Sequence, residues 1–275
     1  MTATPKTPNR ILFVRLFYGL TLLFLLFRLK NQMLLSQLQQ PELTYLGNDI
    51  TYIFLDWLGI TDLLGQNFWI GLLLDISLFA TTILSLIFTR QRITSILFTI
   101  ILLVYIVAGY SFLCFHKHNL TGLWYCSLIF WFVDEAGFTL SFELVRYYCL
   151  FTYASAGFWK FFRGVWDAKG HFALVVKNDA LAYLVQHPDS TLGKTISWLI
   201  AHPFLLDNLM LVACFAQLAF IIGFFTKKLD WFFLLFALAF HLMSLLLLRA
   251  SFIEFAVILI TLLPISYLYR KSPEA

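Results

Sequence analysis

Arg146, Tyr153 and Lys160 stand seven residues apart along the apolar run Phe142–Phe162. Seven residues make two helical turns, so the three side chains share one stripe of a helix and drift by about 20° per step. An ionisable residue inside a membrane helix is costly and marks function by default. This stripe carries two, with a phenol between them. The helix pattern breaks at Arg163-Gly164, and a Trp166-x-x-x-Gly170 turn follows. These residue types define a polar site held away from water and leave its reaction open.

The elements that position this stripe must be membrane spans. Of the 275 residues 61% are hydrophobic and 12% charged, with 31 Phe. No soluble domain of this length can bury so much apolar side chain, so lipid is the expected solvent. A crossing needs roughly 20 residues. The window count predicts about eight: Ile11–Leu29, Phe68–Thr89, Ile93–Phe115, the short Leu120–Val133, Phe142–Phe162, Phe204–Phe225, Leu229–Leu248 and Phe252–Leu268. Tyr52–Leu64 is too short to cross and is expected to lie at the interface. The longest polar section, about residues 163–203, is expected outside the membrane, with short helices at Leu181–Val185 and Ile196–Ile200. No repeat or low-complexity tract divides the chain, which predicts one all-α transmembrane domain over 1–275. The first span is read as retained rather than as a signal peptide, because it is long, contains Arg15 and Arg28, and lacks a small-residue cleavage site.

Charge predicts the orientation. Lys6/Arg10, Arg90/Arg92, Lys227/Lys228 and Arg270/Lys271 flank short loops or ends and fall on one side if Leu120–Val133 crosses. Both termini are then cytoplasmic. At 1.5 Å per residue, Lys160 lies roughly 3 Å inside the outer boundary, and Asp75 and His241 roughly 10 Å inside it. His118 begins a span on the outer side, and Arg249 and Glu254 flank the last outer turn. Several spans thus bring ionisable groups to one depth on one side. Taken singly, each group also fits a plainer role. Lys160 can snorkel to the headgroups, His241 beside Ser244 can join two helices, Asp75 can pair with a basic group, and Glu143 with Arg146 can form an i,i+3 pair.

No nucleophile elbow, phosphate loop or zincin helix is present, and His116-x-His118 lacks a third ligand, so no metal is expected. The net charge of +4 is spread over short loops, which reads as topology and not as nucleic-acid binding. Cys114, Cys126, Cys149 and Cys214 all lie in apolar runs and read as packing residues.

The block Ala156-Gly157-Phe158-Trp159-Lys160-Phe161 with Trp166 and Gly170 resembles the signature of HTTM-domain proteins, the membrane relatives of the vitamin K-dependent γ-glutamyl carboxylase. Phe240-His241-Leu242 followed by Phe252, and His118-Asn119-Leu120-Thr121-Gly122-Leu123, are similar to two further segments of that family. Trp166 and Gly170 stand one residue further apart than in the family's block. The resemblance implies that Lys160 is a base that deprotonates a quinol of the vitamin K hydroquinone type, with His118 and His241 as catalytic partners. The pocket around it is expected to draw on Tyr153, Trp159 and Trp166 of the same block, and on Asp75, Arg249 and Glu254, which lie on the same outer side. A lysine works as a base only when neutral, the form that an apolar surrounding favours. It further implies an extracytoplasmic active face in a bacterial inner membrane, with membrane lipid, a lipophilic quinone and a peptide or protein substrate as partners. The short chain makes processive carboxylation of a propeptide-bearing substrate an unexpected role. Two other functions fit the same sequence: a non-enzymatic maturation or assembly factor for a secreted or membrane peptide, and a transporter. The transporter has less support, because no pair of broken spans recurs in two halves.

Overall fold

A computed structural model describes residues 6–38, 50–60, 63, 67–112, 120–165, 167, 169–248, 256–263 and 269–271. Its contacts divide the chain into two compact units, Met1–Val145 with Ile265–Ala275, and Arg146–Pro264. The division falls inside one helix, so no linker composition announces it in the sequence.

The first unit starts with a three-residue strand, β1 (Lys6–Pro8), paired antiparallel with β2 (Tyr269–Lys271). Helix α1 (Arg10–Lys30) follows, its first turn capped by the Asn9 side chain, which accepts from the Leu12 amide. A 3-10 turn at Leu35–Gln37 leads to α2 (Ile50–Trp57), α3 (Phe68–Ile87) and α4 (Arg92–Phe112). The short run expected at Leu120–Val133 is α5 (Thr121–Leu128), prolonged by a 3-10 turn at Ile129–Trp131. Phe17, Phe98 and Phe130 are almost fully buried and meet in tilted and edge-on ring contacts, such as Phe17 with Phe130 at 5.1 Å, and buried Phe13 meets Phe142 edge-on at 4.8 Å. The Arg10 guanidinium donates to the carbonyls of Thr89, Phe130 and Phe132, so the start of α1 is tied to the ends of α3 and of the 3-10 turn after α5.

Helices α3 and α4 bury polar side chains beside Leu78, Phe98 and Leu102 and turn a broad apolar face outward. Helix α3 buries Gly71, Asp75, Thr81, Thr82 and Ser85 and exposes Trp69, Leu73, Ile76, Ile83 and Ile87. Helix α4 buries Thr94, Ser95, Thr99 and Tyr105 and exposes Ile93, Leu97, Ile100 and Val104. Water would favour the reverse arrangement, whereas lipid demands this one. Among the described residues five helical stretches are long and apolar enough to cross a membrane: Arg10–Gln37, Phe68–Ile87, Arg92–Gly109, Pro203–Phe224 and Asp230–Leu247.

Helix α6 (Glu135–Phe162) is the longest described, at 28 residues, and begins seven residues before the apolar run that predicts it. Asp134 explains the early start, because its carboxylate accepts from the Gly137 amide at 2.7 Å and so satisfies a first-turn donor. The second unit continues with α7 (His171–Gln186), α8 (Thr191–Ile200), α9 (Pro203–Leu218) with a 3-10 turn at Ala219–Phe224, and α10 (Asp230–Leu247). A last 3-10 turn covers Val257–Leu262. Helices α7 and α8 are longer than expected from Leu181–Val185 and Ile196–Ile200. Their polar residues ride an exposed face, while Ala173, Val176, Ala180 and Ile196 form a small core with Leu206 and Leu247. Caps outside the apolar runs set their lengths. Gly170, at φ 73°, opens α7 and donates its amide to the Asp207 carboxylate, and the Ser190 hydroxyl accepts from Gly193 at the start of α8.

Candidate functional site

The second unit holds the site. Helix α6 brings its stripe to α9 and α10, and each of the three spaced residues meets a different partner. Arg146, 2% exposed, makes a paired contact with the Asp230 carboxylate at 2.6 and 2.9 Å and also donates to the Gly223 carbonyl at 3.0 Å. Where the sequence suggests an i,i+3 pair with Glu143, the ion pair seen for Arg146 is a tertiary one, with Asp230 across 84 residues. One stripe further, the Tyr153 hydroxyl meets His241 Nε2 at 2.5 Å, and the Tyr153 ring stacks on Phe220 at 4.6 Å. At the end of the stripe, Lys160 Nζ donates to Gln217 Oε1 at 2.7 Å and lies 5.1 Å above the centre of the Phe240 ring.

The last contact depends on a glycine. A methyl group on Gly157 would lie 2.8 Å from the Leu218 nitrogen and 2.9 Å from the Cys214 carbonyl oxygen. The hydrogen there lets the backbones of α6 and α9 touch, and Lys160 follows one turn later, opposite Gln217. The small pair Ala156-Gly157 and the lysine therefore act as one device. The first half sets the helix separation and the second uses it.

Lys160 lines a cavity of about 270 Å³ between α9 and α10. Its walls include Met210, Phe236, Phe240, Met243 and Leu247, and among the described residues Lys160 and Ser244 are the polar side chains of the lining. Phe240 and Ser244 are one turn apart on α10, so aromatic face and hydroxyl look to the same side. His241, one residue from Phe240, turns to Tyr153 and is not part of this wall. The arrangement is an amine fixed in direction by a buried amide, facing an apolar space large enough for a ring or a chain.

The other expected site residues divide into three sets. Trp159, 55% exposed, packs on Phe158 and Phe162 along the outside of α6 and not on the cavity. Asp75 belongs to the first unit. Its carboxylate accepts from the Leu35 and Ser36 amides at 3.2 and 2.9 Å and from the Tyr105 hydroxyl at 2.9 Å, so amides and a phenol take the place of the foreseen basic group. Gly71, one turn before it, gives the Leu35–Ser36 backbone room, since a Cβ there would come within 3.1 Å of the Ser36 nitrogen. Asp75 is therefore the anchor of the 3-10 turn. His118, Trp166, Arg249 and Glu254 lie outside the described residues.

Gln217 and Asp230 were legible only as polar residues in or beside apolar runs. A lone glutamine within Phe204–Phe225 is the signal that could have pointed to the lysine's partner. No three His, Cys, Asp or Glu side chains come together as a metal site among the described residues. Compared with protein-family models, with curated proteins and with solved structures, the chain finds no match.

Proposed function

We propose that this chain is an HTTM-like integral membrane protein whose Lys160 acts as a base on a lipophilic quinol in a carboxylase-like reaction. The observation that carries the proposal is the position of Nζ, on the wall of an apolar cavity of about 270 Å³ and held by Gln217. An amine there is partly withdrawn from water and has its direction set by one hydrogen bond. Gln217 Oε1 and the Phe240 ring both stabilise the amine once it has taken up a proton. The lining suits a quinol: Phe236 and Phe240 offer ring faces, Lys160 and Ser244 offer polar contacts, and Leu247 and Met243 suit a hydrocarbon tail. A quinol bound there would supply the oxidisable aromatic diol of the reaction. Lys160 and Ser244 would hold its oxygens, and Tyr153 with His241 would brace α6 against α10.

The proposal includes about eight crossings, with both termini cytoplasmic and the lysine end of α6 on the extracytoplasmic side of a bacterial inner membrane. The β1–β2 pairing supports an even number of crossings, because it brings residues 6–8 and 269–271 together. The Arg10 contacts to Thr89, Phe130 and Phe132 support a crossing by the short α5 segment, because its end and the end of α3 reach the same place. The three crossings beyond the five apolar helices would be the α5 segment, α6 and the segment around Val257–Leu262.

Lys160→Ala tests the base. In membranes supplied with a reduced quinone and a glutamate-containing peptide, we expect deuterium exchange at the peptide's acidic C–H with the wild type and none with the variant. Gel filtration and circular dichroism should find the variant folded. Equal exchange by a folded Lys160→Ala protein would remove Lys160 from the chemistry, and no exchange above background with the wild type would leave the maturation-factor reading in its place.

A further inference from the structure

Helix α7 has two apolar faces. One packs on protein, where Ala173, Val176 and Ala180 are buried in a core with Leu206 of α9 and Leu247 of α10. The other is exposed: Leu174, Leu181 and Val185 are 54%, 52% and 72% accessible. Their spacing of seven and then four residues sets them within about 40° of one another, roughly 130° round the helix from the buried face. His171, Asn178, Asp179 and Gln186, all exposed, run along the side centred roughly 90° from this stripe. A helix with one face on protein, one apolar and one polar has the pattern of an element at the boundary of hydrocarbon and water.

The neighbours of α7 identify what meets the exposed stripe. Helices α9 and α10 belong to stretches apolar and long enough to cross a membrane. Leu206 lies in the first turn of α9 and Leu247 is the last residue of α10, so α7 sits at the ends of both, where hydrocarbon gives way to head groups. Leu205, Leu209 and Val212 of α9 are exposed at i, i+4 and i+7, one outward stripe that borders the same hydrocarbon. Trp198 of α8, 53% exposed, lies with its ring 4.4 Å from that of His202 and one turn from Lys194. Tryptophan collects where a bilayer meets water. Lys177 stands between the exposed stripe and the buried face, and its long stem can carry the charge up to the head groups. A protein occupant fits less well, because three aliphatic side chains fall far short of the roughly 800 Å² per partner of a stable interface.

We propose that α7 lies in the membrane surface at the Pro203 end of α9, with Leu174, Leu181 and Val185 among the acyl chains of that leaflet and His171, Asn178 and Gln186 in water. The polar section of residues 163–203 then carries a lipid-binding face that its composition hides. Phe172 of the same helix lines the cavity beside Lys160, so the helix that lipid holds is also one wall of that cavity. The placement stands whether or not Lys160 moves a proton.

The test is photo-crosslinking of the full-length protein in phosphatidylcholine proteoliposomes. A benzophenone side chain replaces Leu174, Leu181 or Val185 in one series, and His171, Asn178 or Gln186 in the other. Mass spectrometry is expected to find adducts of phosphatidylcholine mass at the first three positions, severalfold more than at the second three. Adducts joining two copies of the chain at the first three would overturn the lipid in favour of a dimer. Neither kind of adduct there would place the stripe in water and overturn the proposal. Equal lipid adducts in both series would overturn the one-sided placement. A position whose variant does not fold is read from a nitroxide on a cysteine at the same site. Greater accessibility to oxygen than to an aqueous nickel chelate at the apolar stripe supports the placement, and the reverse overturns it.

Discussion

Gly157 and Cys214 lie so close that a single methyl group cannot be placed between them: a Cβ on Gly157 would stand 2.9 Å from the Cys214 carbonyl oxygen. The obstacle is main chain on a packed helix, which cannot turn aside as a flexible side chain would. Gly157→Ala must therefore push α6 from α9, at about 1–3 kcal/mol for overpacking. We expect a lower midpoint of thermal unfolding in detergent, as α6 is pushed from α9 and Lys160 is drawn from Gln217. Gly19→Ala is the control. Its Cβ meets nothing within 4 Å, so it should leave stability unchanged or raise it by up to about 1 kcal/mol through helix propensity.

Arg146 and Asp230 are a buried ion pair, with side chains 2% and 8% exposed. Removing one partner strands the other charge in an apolar interior. Arg146→Met and Asp230→Leu should each cost about 3–5 kcal/mol, while the double variant should recover much of the loss. A double-mutant cycle on thermal unfolding in detergent checks this, and additive losses would count against the pair as drawn.

Asp75 holds the 3-10 turn Leu35–Gln37 by accepting from two amides and a phenol. Asp75→Asn keeps the shape and replaces one acceptor oxygen with a donor, which leaves a buried amide proton facing another. The expected loss is about 1–3 kcal/mol. The loss should appear as faster proteolysis after Met33 or Leu34. Tyr105→Phe should show a smaller effect of the same kind, about 1 kcal/mol.

The outward face of α3 meets lipid. Single cysteines at Leu73, Ile76 and Ile83, in a background with the native cysteines replaced, should resist a water-soluble maleimide in intact membranes and react after solubilisation. Leu73→Arg should cost about 2.5–3.5 kcal/mol of insertion free energy near a span centre and lower the amount of protein in the membrane fraction. Rapid labelling at all three positions in intact membranes would refute a lipid-facing surface.

The same residues mark how far the sequence could be read. Apolar runs of about twenty residues predicted α1, α3, α4, α9 with its 3-10 turn, and α10 to within a few positions, because in lipid a helix is the one local solution to backbone hydrogen bonding and needs no partner to be recognised. The seven-residue spacing put Arg146, Tyr153 and Lys160 on one face for the same local reason. Local pattern could not supply the partners. Asp230, His241 and Gln217 lie 84, 88 and 57 residues away from the groups they bind. Nothing in a one-dimensional period records which turn of α9 or α10 will face α6. That choice was made by close packing, where Gly157 admits the Cys214 carbonyl and so decides how deep the lysine sits. It also separated residues that composition grouped together, giving Asp75 to a turn of the first unit and His241 to Tyr153. What remained at the cavity was an amine, a hydroxyl and apolar walls. The chain alone determined that a charged group would be kept in an oily place, and only the tertiary structure decided what that group would face.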